Sequence, residues 1–124
     1  MLNKVTLIGN LGADPAVRAA TEDRQLANVR LATRRRWKDR DGNRQEDTQW
    51  HQLVFWGRQA ELAERLLKKG QLVLVEGRLN TTSWPAREDE SRTHYRTEVV
   101  GESFLILSPK GSPAHDHEVQ EHAE

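Results

Sequence analysis

The chain of 124 residues contains no cysteine, one methionine, one tyrosine and two phenylalanines, and it has no long apolar run. The lack of cysteine excludes a disulfide framework, a thiolate zinc site and a cysteine nucleophile, and it is typical of proteins of a reducing cytoplasm. No stretch approaches the roughly 18 apolar residues of a membrane span, and no secretory signal follows Met1. We therefore expect one cytoplasmic domain with a short tail and no membrane partner.

The net charge is zero, because 19 Lys and Arg balance 19 Asp and Glu. This total hides a division: residues 111–124 carry −4, whereas residues 1–110 carry +4, and residues 30–44 alone hold seven cations against two aspartates. Fourteen of the cations are arginines, which suit phosphate and base recognition, and four of the seven aromatics are tryptophans. A polyanionic partner is therefore compatible with the neutral sum.

In residues 109–124, Val119 is the one aliphatic side chain larger than alanine, among Pro, Gly and acidic residues. Such a segment buries too little surface to offset its ordering entropy, so we predict a disordered acidic tail after a domain of residues 1–108. The tail contains three histidines, His115, His117 and His122, which suggest a metal site. A mobile segment offers them no fixed geometry, so we expect no metal and no cofactor.

Alternating apolar residues predict five strands, and Asp41-Gly42 is typical of a hairpin tip. Gly77 and Gly101 interrupt two of the strands, as a bulge or a barrel bend would. The predicted strands cover residues 4–11, 26–33, 48–56, 72–79 and 95–107.

An amphipathic helix is predicted over residues 58–69, with Gly70 as its left-handed cap. The order of three strands, a helix and two strands is that of the OB-fold, a five-stranded Greek-key barrel that binds oligonucleotides or oligosaccharides. The predicted fold class is therefore all-β with one short helix, followed by the disordered tail.

The four tryptophans are candidate base-stacking residues. Large aromatics often fill cores, but Trp37 stands among arginines and Trp84 among polar residues, which favours stacking on nucleic-acid bases. Trp50 and Trp56 share one face of the third predicted strand, and Val54 between them indicates that part of this face is core.

The cations near these rings are candidate phosphate contacts, although a solvated surface position is the alternative for any single one. No catalytic site can be assembled: His51 has no evident serine or carboxylate partner, and no phosphate-binding loop is present, so we expect no enzyme. The candidate phosphate contacts are Lys4, Arg34, Arg35, Arg36, Lys38, Arg58, Lys69, Arg78 and Arg87.

Seven segments spread over residues 3–107 carry a further signal. They are Asn3 to Leu11 with Asp14-Pro15, Asn28 to Thr33, Thr48 to His51, Trp56-Gly57, Lys69-Gly70, Val75 to Leu79 with Trp84, and Thr97 to Val100. In order and spacing they resemble segments of the bacterial single-stranded DNA-binding proteins, and seven matches in register make the resemblance highly specific.

The resemblance implies sequence-independent binding of single-stranded DNA in replication, recombination and repair at the bacterial nucleoid. It implies that Trp37, Trp50, Trp56 and Trp84 occupy the base-stacking positions, with Trp56 where the family commonly has Phe. It also implies a homotetramer, with three residues near the subunit contacts: His51, Leu72 and Leu74.

The tail departs from the family, because it lacks the terminal Ile-Pro-Phe that docks replication and repair proteins. Replication and repair proteins are possible partners, but the tip that would dock them is absent from this tail. An OB-fold accessory module of the primosome type, acting mainly through protein contacts, is the alternative function. If the tail competes for the basic surface, deleting residues 111–124 should strengthen DNA binding at low salt.

Overall fold

The structure is a computed structural model that describes residues 1–108. The predicted acidic tail, residues 109–124, lies outside the described residues. The described part folds into six strands and one helix, which confirms the predicted class: β1 Val5–Leu11, β2 Ala16–Thr21, β3 Arg24–Lys38, β4 Arg44–Trp56, α1 Arg58–Leu66, β5 Leu72–Pro85 and β6 Thr93–Ile106.

Five of these strands close into a barrel. β1 pairs antiparallel with β5 along its length and with β3 at Asn10 and Leu11. β3 pairs with β4 and β5 pairs with β6, both antiparallel. A short parallel pairing of β4 with β6, at Leu53 with Val99 and Val54 with Val100, closes the ring. This is the five-stranded arrangement that the order of elements predicts.

The sixth strand, β2, was absent from the predicted set. It follows the turn at Asp14-Pro15 and continues beside β3, with which it pairs from Ala16 opposite Asn28 to Thr21 opposite Arg24. Nearly all of its side chains are exposed. Because a strand without a buried face shows no apolar alternation, its sequence gave no periodic signal.

The core lies inside the barrel and consists of alternate residues of β3 and β4 with their partners. Leu53 and Phe55 are fully buried, and Phe55 meets Phe104 edge to face with ring centroids 5.7 Å apart. A Cβ on Gly101 would fall within the ring of Phe55, which explains why this strand position carries glycine. The helix covers one end of the barrel through Ala60 and Ala63.

The predicted helix is too long, because α1 ends at Leu66 and not at residue 69. Leu67 adopts an extended conformation that brings its side chain into the core. The side chain of Gln71 bonds the backbone where a further helical turn would have done so. Its Nε2 donates to the Leu66 carbonyl, and its Oε1 accepts the Lys68 N–H. Gly70 has the expected positive φ of 91°, but it turns the chain into β5 and does not cap the helix.

Two hairpins extend beyond the barrel. The first, residues 33–49, is called the basic arm, and its tip contains Gly42 with φ of 80°, as Asp41-Gly42 predicts. The second, residues 79–98, is called the polar arm, and its strands pair out to Pro85 opposite Thr93. Both are longer than predicted because they are exposed on both faces, which removes the alternation.

The predicted irregularity at Gly77 is present as a shift of register between β5 and β6. No helix within residues 1–108 is long and apolar enough to cross a bilayer.

Candidate nucleic-acid interface

Three of the four tryptophans have large exposed surfaces, which is unusual for so apolar a side chain. Trp37, Trp50 and Trp84 are 40%, 51% and 43% exposed, whereas Trp56 is half-buried. These three rings are not part of the core. The alternative that large aromatics fill the core therefore does not explain them.

Trp50 lies where β4 leaves the barrel, and its ring rests on Gly12, the residue after β1. A Cβ on Gly12 would fall 2.4 Å from Cζ3 of Trp50, so only glycine leaves room for the ring there. The Arg30 guanidinium lies 4.6 Å from the ring centroid. Trp50 is therefore held by two neighbours while half of its surface remains open.

A cleft of 250 Å³ adjoins Trp50 and brings two predicted phosphate contacts to it, Arg34 and Lys69. Asp14 fixes the segment of Lys69 by accepting its backbone N–H at 2.8 Å. Arg34 also approaches Glu46, with 4.0 Å between Nε and Oε1. Cations therefore flank a ring on which a base could stack.

Trp56 lies on the same face of β4 as Trp50, and Arg24 lies 4.8 Å from its ring centroid. Val54 between the two rings is buried, as its position predicts. This face of β4 thus serves both the core and the exposed surface.

Trp37 lies on the opposite face of the basic arm. Directly paired residues share a face, and Trp50 pairs with Ala32, five residues before Trp37 on β3. An odd separation along a strand reverses the face. Trp37 contacts Arg35, whose guanidinium lies 5.0 Å from the ring centroid, and it shares a cleft with three cations: Arg36, Lys38 and Arg44.

The tip of the basic arm is organised by Asp39. Its carboxylate accepts the backbone N–H groups of Asn43 at 2.8 Å and Asp41 at 2.9 Å, and the Gln45 amide at 3.2 Å. The bond from Asn43 is the main cause that lowers the pKa of Asp39, so this acidic residue serves the turn within a basic segment.

Trp84 belongs to the polar arm, where it faces His94 across the strand pair with ring centroids 5.8 Å apart. Arg87 lies exposed in the loop that follows. Asp89 orders that loop by accepting the hydroxyl of Ser91 at 2.7 Å and its N–H at 3.0 Å, which lowers the pKa of Asp89.

Three other predicted phosphate contacts are not brought to a tryptophan. Lys4 pairs with Glu76 at 2.9 Å, and the hydrogen bond raises the pKa of Lys4. Arg58 begins α1 and lines a cleft with Gln25 and other helix residues that contains none of the four tryptophans. Arg78 is exposed on β5 opposite Val100.

The predicted oligomer contacts differ in accessibility. Leu72 is 5% exposed within its own chain, and His51 is partly buried, with 2.8 Å between Nε2 and the Thr33 hydroxyl. Leu74, in contrast, pairs with Ile8 and Leu105, which are 48% and 59% exposed. These three form an apolar strip on the outside of the barrel.

Ile8 and Leu105 were not among the predicted contacts, nor were Arg24 and Arg30 among the predicted site residues. The signal for Ile8 is that β1 has apolar residues on both faces, since Leu7 packs against the core and Ile8 points away from it. The arginine contacts depend on the register of β3 and β4, which the sequence alone leaves open. Among the described residues, no group of three His, Asp or Glu side chains is placed to share a metal ion.

The chain is similar to known proteins along most of its length. Residues 2–107 match the single-strand binding protein family. The single-stranded DNA-binding protein 1 of Chlorobaculum tepidum is 44% identical over 114 residues, covering 90% of this chain and 68% of that protein. The protein of the same name from Xylella fastidiosa is 43% identical over 110 residues, covering 88% and 79%.

Solved structures show the same barrel. A Plasmodium falciparum SSB complex with ssDNA has a TM-score of 0.73 at 30% identity, covering 87% of this chain and 96% of that one. The wild-type single-stranded DNA binding protein from Thermus aquaticus has a TM-score of 0.72 at 34% identity. The alignment covers 89% of this chain and 52% of the T. aquaticus chain, so this chain spans about half of its length. The predicted OB-fold is thereby confirmed.

Proposed function

Because the chain belongs to the single-strand binding protein family, we propose that it binds single-stranded DNA without sequence preference. Binding protects exposed strands during replication, recombination and repair, and in a bacterium it takes place at the cytoplasmic nucleoid. The observation that carries the proposal is the set of three large exposed indole rings, of which two share a cleft with Arg and Lys side chains.

In this mechanism the protein binds and does not catalyse. Bases stack on the four tryptophans, each stack contributing about 1–3 kcal/mol irrespective of base identity. Cations bind the phosphates and release counterions. The clefts beside Trp50 and Trp37 support the roles of Arg34, Lys69, Arg36 and Lys38, whereas Lys4, Arg58 and Arg78 would contact more distant parts of the strand.

The positions of the rings favour a wrapped path for the DNA. Trp50 and Trp37 lie on opposite faces of the basic arm, and Trp84 lies on the other arm. A strand that stacks on all of them cannot follow one flat groove, so it has to pass around the basic arm.

The assembled form that we propose is a homotetramer. The apolar strip of Ile8, Leu74 and Leu105 supports it, because a surface of this kind on a small domain is stabilised by burial against another copy. His51 is placed near a subunit contact in this proposal, whereas Leu72 adds little area because its own chain already covers it. Solution mass measured with the number of nucleotides bound per particle tests the assembly.

The direct test of the function is titration with oligo-dT while tryptophan fluorescence is followed. We expect strong quenching at low salt that weakens as salt rises. Absence of quenching at low salt would refute the proposal. If Trp50→Ala and Trp84→Ala leave DNA affinity unchanged, the protein is instead a module that acts mainly through protein contacts.

A further inference from the structure

Three of the four tryptophans carry an arginine over the ring, and all three arginines come from β3. Arg24 lies 4.8 Å from the ring centroid of Trp56, Arg30 lies 4.6 Å from that of Trp50, and Arg35 lies 5.0 Å from that of Trp37. These distances are within the range of cation–π contacts.

The two contacts between β3 and β4 repeat one register relation. Trp50 pairs with Ala32, and Arg30 stands two residues before Ala32. Trp56 pairs with Leu26, and Arg24 stands two residues before Leu26. Each arginine is therefore the same diagonal neighbour of its ring, a position from which a long side chain reaches across the strand pair.

A guanidinium over a ring is placed differently from one that faces a phosphate groove. Its planar face is occupied by the indole, and the contact restricts the side-chain rotations of the tryptophan below it. Trp50 is restricted further by Gly12, on which its six-membered ring rests. A ring fixed before binding loses less conformational freedom when a base stacks on it.

We propose that Arg30 and Arg24 are positioning residues, which hold Trp50 and Trp56 ready for base stacking and contribute to DNA affinity through these rings, not through phosphates. The inference rests on the proposed function for its DNA readout. It also predicts how mobile the Trp50 ring is in the free protein. The positioning role and the proposed function can therefore fail separately.

The salt dependence of binding separates the two roles. Each phosphate contact with a single strand contributes about −0.7 to the slope of log K against log salt concentration. Arg24→Gln/Arg30→Gln should weaken binding to oligo-dT by about fivefold to thirtyfold with the slope unchanged, as expected for loss of two exposed cation–π contacts. A slope smaller in magnitude by about 1.4 would assign both arginines to phosphates and overturn the proposal.

The matched control removes two cations from the cleft beside Trp50. Arg34→Gln/Lys69→Gln deletes the same charge, so it should reduce the magnitude of the slope by about 1.4 if these residues bind phosphates. The double-mutant cycle of Arg30→Gln with Trp50→Ala is the second readout. Once Trp50 is absent, loss of Arg30 should have no further effect, whereas additive losses would overturn the proposal.

Tighter binding by Arg30→Gln would also overturn it, because the arginine would then occupy the place of a base. If the Gln variants fold poorly, Arg30→Lys keeps the charge and replaces the planar guanidinium. A phosphate role predicts nearly unchanged affinity for this variant, whereas positioning predicts a loss.

The free protein supplies the independent test. In a chain that retains only Trp50, with the other three tryptophans changed to Phe, Arg30→Gln should speed the local component of the fluorescence anisotropy decay. An unchanged decay would overturn the positioning role even where DNA binds normally. Failure of the wild-type protein to bind oligo-dT would refute the proposed function and leave this measurement in place.

Discussion

The basic arm and the polar arm share one design and differ in charge. Each is a long hairpin that carries one exposed tryptophan and ends in a turn ordered by an aspartate, Asp39 or Asp89. The basic arm has six cations and four carboxylates over residues 33–49, whereas the polar arm has three cations and four carboxylates over residues 79–98. Trp37 accordingly contacts an arginine, and Trp84 contacts a histidine.

This difference separates two sources of affinity that are usually mixed. In the proposed function, the basic arm combines stacking with attraction to phosphates, and we expect that attraction to weaken with salt. The polar arm offers stacking with no excess of positive charge, so its contribution should persist at high salt. We therefore expect one small domain to hold DNA by two arms whose contributions respond differently to salt.

Removing charge from each arm should produce the largest contrast. Arg34→Gln/Arg36→Gln/Lys38→Gln on the basic arm should lower affinity for oligo-dT on the order of 100-fold or more at about 50 mM salt, with a slope smaller in magnitude by about 2. The matched triple variant of the polar arm, Arg87→Gln/Arg92→Gln/Arg96→Gln, should change both quantities much less. Equal effects in fluorescence titrations at several salt concentrations would remove the distinction between the arms.

Removing the ring from each arm should have a smaller and more even effect. Trp37→Ala and Trp84→Ala should each weaken binding by about fivefold to 100-fold, the equivalent of one lost stack. The loss for Trp84→Ala should be the same at low and high salt. If that loss disappears at high salt, stacking on the polar arm depends on charge and the comparison fails.

The root of the basic arm has a constraint with no counterpart in the polar arm, because the ring of Trp50 rests on Gly12. Gly12→Ala should displace this ring and weaken DNA binding by about threefold to tenfold, part of the value of one stack. Ala13→Ser, at the exposed neighbouring position, is the control and should bind normally. Wild-type affinity for Gly12→Ala would mean that the position of Trp50 is not critical.

The smallest effect is expected at the two tips. The pKa of Asp39 is lower in the folded arm than in an unfolded chain, so its carboxylate stabilises the tip above the ordinary carboxyl pKa of about 4. This stabilisation is lost as the pH falls through the lowered value. Asp39→Ala should speed amide exchange at Asp41 and Asn43 a few-fold at neutral pH, whereas Asp89→Ala should affect Ser91 alone. No change at Asn43 would exclude the role of Asp39.

Strands with one buried face were predictable from the sequence. Alternation over residues 48–56 predicted the barrel part of β4, and the structure places its Leu53 and Phe55 in the core. The same pattern fails for β2 and for both arms, where neither face is buried. The end of α1 was missed because it depends on the burial of Leu67, which is a tertiary contact, and on local hydrogen bonds of the Gln71 side chain, which no apolar pattern signals.

The site was predictable in its residue types and less so in its geometry. Tryptophans among cations indicate a nucleic-acid surface without knowledge of the fold. Which face each ring takes depends on strand register, since a slip of one residue reverses every side chain. The opposite faces of Trp37 and Trp50 and the arginine contacts of Trp50 and Trp56 therefore required the pairing of β3 with β4.

In the proposed function, the tip of the basic arm decides which DNA molecules can enter the site. The arm ends at the Asp41-Gly42 turn, and within residues 1–108 no residue bridges that tip to the barrel, so a strand can move from the face of Trp50 to that of Trp37 by slipping over the tip. No end of the DNA has to be threaded, and no strand pairing of the protein has to open. A covalently closed single-stranded circle should consequently load as readily as a linear strand.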